Sequence, residues 1–305
     1  MNLKRPPSPT PRAQIGIIGG SGLYQMDGFT NLKEVRMTTP FGKPSDAIIL
    51  GTFHGMRVAF LARHGRGHRT LPSAINYRAN IHALKSLGVT KIFSVSAVGS
   101  MKESIRPGDF VLPDQFIDRT TQRNNTFFDQ GIVAHVAFAD PICGTLSSVL
   151  EKASLEVPVK VHRPGTYLCI EGPQFSSRAE SLLYRQWGVD VIGMTNIPEA
   201  KLAREAELCY ATLALVTDYD CWHETEDAVS VGAILSIMHR NVETAKLVLQ
   251  HALEIVKDLG TCSCQTALEY AVITPLNRIS PTLRKRYQLL LKRHLSTTIH
   301  TKKRS

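Results

Sequence analysis

The chain of 305 residues lacks several features that define large protein classes. No apolar run approaches the ~18–20 residues that cross a bilayer. Residues 1–12 hold four prolines and three basic residues but no apolar stretch, so they are not a signal peptide. Six cysteines are too few for a disulfide framework. These absences predict a cytoplasmic protein with no membrane segment, preceded by a disordered leader over residues 1–13.

Negative charge is missing from one part of the sequence. The net charge is +10, but residues 278–305 contain nine Lys or Arg and no Asp or Glu. Subtracting those nine leaves the first 277 residues near +1. Residues 276–305 are interpreted as a basic helical or disordered extension, most simply a solvated helix with a frayed tail. Docking of RNA, a membrane or an acidic partner is the alternative, but no aromatic stacking platform supports a nucleic-acid partner.

Between residues 14 and 275, short β-branched runs alternate with helical patterns, without an internal repeat or a linker. Several runs are apolar throughout, as in strands buried on both faces. Strands are predicted at residues 15–18, 47–50, 58–61, 91–95, 110–112, 189–192 and 210–216. Helices are predicted at residues 73–87, 176–187, 199–207 and 229–259, and three of them end before a glycine. The pattern predicts one α/β domain with a mixed or largely parallel sheet and helices on both sides.

The loop after the first strand reads Gly-Ser-Gly from Gly20 but lacks the third glycine of a dinucleotide-binding fingerprint. Its bare N–H groups and one hydroxyl can still bind an anion. Ligands of α/β sheets bind beyond the carboxyl ends of the strands. Short donors and cations gather at those ends: Ser21, Arg63, His64, Ser96 and Thr195. Singly, a strand-end Ser or Thr is more often a cap, but together the set suits phosphate or a phosphate ester.

Two aspartates, Asp218 and Asp220, follow the predicted strand 210–216. Carboxylates near a buried strand end are costly unless they are paired, protonated or used. Three interpretations are open: helix caps, the metal ligands of an Asp-x-Asp motif, or an acid that protonates a leaving group, its pKa raised by burial and by its neighbour's charge. No third oxygen ligand follows at a fitting spacing, which weakens the metal interpretation.

Other possible metal ligands are weaker. His64 and His68 in "RHGRGH" lack the glutamate of a zincin motif and are too few for a zinc site. Cys262 and Cys264 in "CSC" have three possible interpretations: a metal-binding site, a strained redox pair, or two loop thiols without a role. Cys209, like Cys169, lies in an apolar run and is interpreted as a core thiol. No metal is assigned on this basis.

Long strings carry a resemblance over residues 14–260: "IGIIGGSGL", "TPFGKPSD", "LARHGRGH", "LPSAINYRAN", "DQFIDRTT", "EGPQFSSRAES", and "CYATLALVTDYDCW" followed by "AVSV". In these strings the sequence resembles the trimeric purine nucleoside and methylthioadenosine phosphorylase family. The resemblance implies a single-domain α/β nucleoside phosphorylase fold, a homotrimer, and a reaction without a metal or organic cofactor. In that reaction inorganic phosphate attacks C1′ of a nucleoside, releasing a free purine and a ribose 1-phosphate.

The resemblance also implies the roles of individual residues. Phosphate would be held by Ser21, Arg63, His64, Ser96, Ala97 and Thr195. The nucleoside would contact Met194 and Ala97 at the ribose and Phe175 and Ser176 at the base. Asp218 would donate a proton to purine N7, which relieves the negative charge left on the base.

Two features imply the preferred nucleoside. An ionised Asp220 can accept a hydrogen bond from N6 of a 6-amino purine, whereas a 6-oxo purine would turn lone pairs toward it. Val231, with Ile234 one turn later, stands where nucleoside-preferring relatives carry a histidine for the 5′-hydroxyl, so an apolar 5′-methylthio group is favoured. His135 matches a residue that reaches the 5′ pocket of a neighbouring subunit. The implied activity is phosphorolysis of 5′-methylthioadenosine to adenine and 5-methylthioribose 1-phosphate, in purine and methionine salvage.

Three alternatives remain at this point. Ser96 and Val98 replace a threonine and a cysteine of animal-type members, which leaves room for a purine nucleoside phosphorylase of broader or 6-oxopurine specificity, including methylthioinosine. A metal-dependent glycosyltransferase would use Asp218 and Asp220. A nucleic-acid-binding protein would use the basic extension.

Overall fold

The computed structural model of the protein describes residues 12–20, 22–223, 231–293 and 295, and only the backbone at 231–235 and 276. The described residues form one 11-stranded mixed sheet. Its strands are β1 (Ile15–Gly19), β2 (Phe29–Val35), β3 (Ile48–Phe53), β4 (Met56–Ala62), β5 (Lys91–Ser100), β6 (Phe110–Val111), β7 (Gln115–Arg119), β8 (Val161–His162), β9 (Thr166–Ile170), β10 (Val191–Gly193) and β11 (Cys209–Asp218). The predicted α/β fold with a mixed central sheet is confirmed.

Helices cover the sheet: α1 (Tyr77–Ser86), α2 (Gly144–Ser154), α3 (Arg178–Gln186), α4 (Asn196–Glu205), α5 (Val231–Val256) and α6 (Pro281–Tyr287). The predicted helix over 73–87 is divided into a 3₁₀-helix, Pro72–Ala74, and α1. The division occurs because Ile75 is extended and the side chain of Asn76 caps α1 by accepting from Ala79 N–H. No helix in the described part of the chain is long and apolar enough to cross a membrane.

The order of the strands creates a gap beside the middle of β5. The sheet runs β2-β3-β4-β1-β5-β10-β9-β7, while β11 lies along β5 and pairs in turn with β6. β5 pairs in parallel with β1 over residues 91–94, and antiparallel with β10 at residues 99 and 100. Residues 95–98 lie between these two pairings. A divergence of neighbouring strands is where open α/β sheets bind ligands.

β5 differs from the sequence prediction, which ended the strand at residue 95. That prediction is wrong, because β5 continues to Ser100 and pairs in parallel with β11 along nearly its whole length. The small and polar residues of "SVSAVGS" suggested a loop, but the long apolar partner strand β11 holds them extended.

The basic C-terminal segment is partly buried, in contrast to the expected solvated helix. Helix α6 begins after Ser280, whose side chain accepts from Leu283 N–H. Tyr287 at its end is fully buried and packs against Phe41 and Phe128. Residues 1–11 of the predicted leader and 296–305 of the extension lie outside the described residues.

Candidate active site

The gap beside β5 exposes one face of an otherwise buried strand. Ala97 is exposed although its neighbours Ser96 and Val98 are buried. Ala97 and Gly99 point to the same face because side chains alternate along a strand. A Cβ placed on Gly99 would lie 2.9 Å from Asp218 Oδ1, so this carboxylate lies over the face that Ala97 exposes. Ala97 and Asp218 therefore line the same open space.

The guanidinium of Arg63, which directly follows β4, is turned into the protein. Its Nε and Nη2 donate to the two carboxylate oxygens of Glu199 at 2.8 and 2.9 Å. Nη1 donates to Val95 O at 2.8 Å, and Nη2 also donates to Ser94 Oγ at 2.6 Å. Four of the five N–H groups are thus occupied, so Arg63 cannot bind phosphate through two N–H groups of one fork. One Nη1 N–H remains for a ligand.

Glu199 is completely buried and neutralises that guanidinium. Its Oε1 also accepts from Ser94 Oγ and from Tyr210 O–H, each at 2.8 Å. Since four donors meet this carboxylate, it is fully satisfied. The network joins β4, β5, α4 and β11 beneath the gap, and it holds Arg63 in one orientation.

His64 follows Arg63 and has a defined tautomer. Nδ1 lies 2.8 Å from Thr70 O, and a carbonyl can only accept, so Nδ1 carries the proton. The ring stacks on His68 with 4.2 Å between ring centroids. Burial lowers the pKa of His64 to about 4, so the ring is neutral at pH 7 and its Nε2 has a free lone pair.

Three hydroxyl groups meet on the other side of β5. Ser96 Oγ lies 3.1 Å from Thr195 Oγ1 and 3.3 Å from the Tyr167 hydroxyl. Ser96 and Thr195 are 5 % and 6 % exposed. A Cβ on Gly193 would come within 2.0 Å of the Tyr167 hydroxyl, so only glycine leaves room for this tyrosine. The arrangement offers rotatable O–H donors near the N-terminus of α4, where Thr195 is the cap residue.

The acidic pair is fixed by its own loop. Asp218 Oδ2 accepts from Thr217 Oγ1 at 2.6 Å, and Asp218 Oδ1 accepts from Asp220 N–H at 2.9 Å. Asp220 opens the 3₁₀-helix Asp220–Trp222 with a φ of 52°, and Ser181 Oγ donates to its Oδ2 at 2.5 Å. Burial raises the pKa of Asp220, and the charge of Asp218 adds to the rise.

Along β5, Asp218 pairs with Gly99, three residues beyond Ser96. At ~3.3 Å per residue, the carboxylates lie about 10 Å along the strand from the hydroxyl cluster. The two groups lie toward opposite faces of β5, and a small molecule in the gap beside residues 95–98 can contact both.

Two further predicted residues lie in the segment before α3. Phe175 is 77 % exposed, an unusual exposure for a large aromatic ring. The hydroxyl of Ser176 is buried and has no hydrogen-bond partner among the described residues. A buried unpaired hydroxyl is rare, which makes Ser176 a candidate to bind a ligand. Met194, also predicted, lies between Gly172 and the N-terminus of α4, and its carbonyl accepts from Arg123 Nη1 at 2.6 Å.

His135 lies on the surface rather than in the gap. Its side chain is exposed, and its N–H donates to Ala271 O at 2.8 Å. Ser21 and the side chains of Val231 and Ile234 lie outside the described residues.

Sequence reasoning missed Glu199, Tyr210 and Ser181. Glu199 and Tyr210 lie beneath the gap, and Ser181 holds Asp220. No local motif marks them, since Glu199 is 136 residues from Arg63 and Ser181 is 39 residues from Asp220.

Comparisons with known proteins show the family of the chain. Residues 14–254 match the family described as the phosphorylase superfamily. Two curated relatives, both called S-methyl-5′-thioadenosine phosphorylase, come from Koribacter versatilis and Geobacter sulfurreducens. They are each 56 % identical to the chain over 92 % and 91 % of its length, which is 96 % and 97 % of their own.

Solved structures are similar as well. A methylthioadenosine phosphorylase from an antarctic soil metagenomic library is 51 % identical, with a TM-score of 0.89 over 92 % of this chain and 99 % of that chain. The methylthioadenosine phosphorylase from Schistosoma mansoni in complex with adenine is 36 % identical, with a TM-score of 0.79 over 85 % and 96 %. Given a family match over residues 14–254 and relatives alike along almost their whole length, the chain belongs to the phosphorylase superfamily.

Proposed function

We propose that this protein catalyses the phosphorolysis of 5′-methylthioadenosine to adenine and 5-methylthioribose 1-phosphate. The observation that carries the proposal is the acidic pair Asp218 and Asp220 at the gap beside β5, offset by about 10 Å along the strand from a cluster of buried hydroxyls. The separation matches a nucleoside with its base at the carboxylates and C1′ facing the hydroxyls. The curated relatives described above bear the name of this activity.

The phosphate is proposed to bind at the hydroxyl end. Ser96 and Thr195 donate O–H groups, Arg63 donates its one remaining N–H, and Ala97 leaves space because its side chain is a single methyl group. Ser21, which lies outside the described residues, stays a predicted ligand. Glu199 holds Arg63 in place and cancels most of its charge, so hydroxyl and backbone donors contribute much of the binding.

Phosphate binding at His64 requires a proton between the ring and the phosphate. Its Nδ1–H is used by Thr70 O, so a neutral ring can only accept a hydrogen bond at Nε2. Contact with a phosphate oxygen therefore needs a proton, either on that oxygen or on Nε2. Either the hydroxyl of monohydrogen phosphate donates to Nε2, or Nε2 takes up a proton and donates to an ionised phosphate oxygen.

The reaction transfers the ribosyl group from nitrogen to oxygen. A phosphate oxygen forms a bond to C1′ while the C1′–N9 bond breaks, and the bonding electrons move into the purine. Asp218 passes a proton from solvent to purine N7, and the phosphate dianion stabilises the positive charge on the sugar. Phosphate is both nucleophile and counter-charge, so the proposed reaction requires no metal or organic cofactor.

Adenine is proposed to be the preferred base because Asp220 presents an acceptor. Ser181 O–H fixes one carboxylate oxygen, which leaves the other to accept from the N6 amino group. Ser176 offers its unpaired hydroxyl, and Phe175 offers an exposed ring for contact with the base. Met194 would contact the ribose.

The 5′ end and the subunit arrangement complete the proposal. Val231 and Ile234, whose side chains lie outside the described residues, are expected to form an apolar wall for the methylthio group. Val133 and Ile273 next to His135 are 47 % and 61 % exposed, and Ile273 N–H donates to Val133 O. Exposed apolar side chains of this kind can be covered at a subunit contact. It supports a homotrimer in which His135 reaches a neighbouring 5′ pocket.

The test compares kcat/KM for 5′-methylthioadenosine, adenosine and inosine at saturating phosphate. The proposal expects 5′-methylthioadenosine to be cleaved fastest, adenosine more slowly because an apolar wall rejects a hydroxyl only modestly, and inosine slowest. Faster cleavage of inosine than of 5′-methylthioadenosine would contradict the assignment of Asp220.

A further inference from the structure

Four cysteines that are distant in the sequence meet in one cluster. They are Cys143, Cys209, Cys262 and Cys264, and their sulfur atoms all lie within 4.8 Å of one another. Cys143 and Cys262 are 119 residues apart. The sequence suggested a possible role only for Cys262 and Cys264, and it placed Cys209 in the core.

The sulfur atoms lie close enough together for a tetrahedral thiolate site. With Zn–S bonds of ~2.3 Å, the edge of the sulfur tetrahedron is about 3.8 Å. Cys143 Sγ and Cys262 Sγ lie 3.7 Å apart. A disulfide would bring two sulfur atoms to ~2.05 Å. All four cysteines are free.

Three separate parts of the fold hold these ligands. Cys143 precedes α2 as its N-terminal cap residue, and its N–H donates to Tyr210 O at 2.9 Å. Cys209 is the first residue of β11, and Cys264 lies in the 3₁₀-helix Ser263–Thr266. Cys262 is half-buried, whereas the other three are buried, and it lines an open cavity together with Leu259. The cavity gives an ion a route to the cluster.

We propose that Cys143, Cys209, Cys262 and Cys264 bind one Zn²⁺ ion as a structural tetrathiolate site. Four thiols lose their protons to solvent and form four S–Zn bonds, which gives the site a net charge of −2. Soft thiolate ligands in tetrahedral geometry favour zinc over harder divalent ions. Four protein ligands close the coordination sphere, so no position remains for a substrate.

The position of the cluster explains what the metal would stabilise. Cys209 and Asp218 are the first and last residues of β11, so the cluster lies about 30 Å from the acidic pair at ~3.3 Å per residue. The metal would instead fasten the segment after α5 to β11 and α2. The proposal is thus independent of the proposed reaction.

The test measures bound metal on the purified full-length protein. Protein expressed with zinc in the medium and purified without chelators is expected to contain one zinc per chain by elemental analysis and by native mass spectrometry. Cys262→Ser is expected to weaken zinc binding by at least about tenfold. Cys221→Ser removes a thiol outside the cluster and is expected to retain the zinc.

A second experiment uses spectroscopy on the wild-type protein, so it does not depend on whether a variant folds. Metal-depleted wild type, titrated with Co²⁺ under reducing conditions, is expected to show thiolate-to-cobalt charge transfer and the intense visible bands of a tetrahedral site. Absence of these bands together with absence of zinc would overturn the proposal. So would an intact mass, measured without reductant, that is lower by the four hydrogens of two disulfides.

Discussion

Replacing Asp220 by asparagine would exchange an acceptor for a donor at the purine 6-position while keeping the size of the side chain. Ser181 is fully buried and its hydroxyl donates to Asp220 Oδ2 at 2.5 Å. In the variant, the amide oxygen takes over this hydrogen bond. The amide NH₂ group then occupies the position of the second carboxylate oxygen, which is the one proposed to face the base.

The size of the effect follows from the hydrogen bonds lost and gained. A hydrogen bond to a charged group contributes about 1.5–3 kcal/mol, which corresponds to roughly 10- to 150-fold in kcat/KM. Asp220→Asn should lower kcat/KM for 5′-methylthioadenosine by this factor, and the new donor should favour 5′-methylthioinosine by a similar one. The ratio of kcat/KM for 5′-methylthioadenosine to kcat/KM for 5′-methylthioinosine should therefore fall by about 10²–10⁴.

The assay is steady-state kinetics with both nucleosides at fixed phosphate. Asp140→Asn serves as the matched control, because Asp140 is an exposed aspartate outside the site, and its ratio should equal that of the wild type. In the double variant with Ser181→Ala, the amide loses its fixed orientation and the shift should shrink. An Asp220→Asn enzyme with an unchanged substrate ratio would refute the assignment.

Other perturbations test the remaining parts of the site and of the core. Asp218→Asn should lower kcat by about 10²–10⁴ while equilibrium dialysis still detects nucleoside binding, and unchanged turnover would remove Asp218 from the acid role. Glu199→Ala leaves the Arg63 guanidinium buried without its partner and should lower the free energy of unfolding in urea by about 3–5 kcal/mol, against less than about 1 kcal/mol for the exposed Glu243→Ala. Burial lowers the pKa of His82 from 6.5 to about 4, so stability should be fully present above pH 6.5 and fall by up to about 3 kcal/mol as the pH drops to 4. A His82→Leu variant with an equally steep acid loss would show that another group is responsible.

The pKa of Asp220 predicts a pH effect on catalysis as well. Burial raises this pKa, so on acidification the carboxyl takes up its proton at a higher pH than an ordinary aspartate. The protonated group no longer accepts from N6, and kcat/KM for 5′-methylthioadenosine should fall on the acid side. The Asp220→Asn enzyme should lack this acid limb in a pH profile, and a limb of the same pKa in the variant would assign it to another residue.

The buried strands could be predicted from the sequence because burial on both faces leaves a continuous apolar run, as in β1 and β11. β2 was missed, since most of its residues are exposed and polar. β5 was cut short, because its second half is small and polar and is kept extended by pairing with β11. Such pairing joins distant parts of the chain and leaves no local pattern.

In the candidate site, too, some features could be predicted from local sequence patterns and others could not. The polar residues that follow β4 and β11 could be predicted to converge, since ligand sites gather at carboxyl ends of strands. The actual orientation of Arg63 could not, because Glu199 reaches it from α4. The cysteine cluster could not be predicted from a local sequence pattern either, because its ligands come from the start of α2, from β11 and from the segment after α5.

The most direct test of the central claim follows both products of one reaction. The protein is incubated with 5′-methylthioadenosine with and without inorganic phosphate, adenine is measured by chromatography, and the sugar phosphate by ³¹P NMR. We expect adenine and 5-methylthioribose 1-phosphate to appear in equal amounts and only when phosphate is present. Adenine release at the same rate without phosphate, or with no new phosphate ester, would contradict the account.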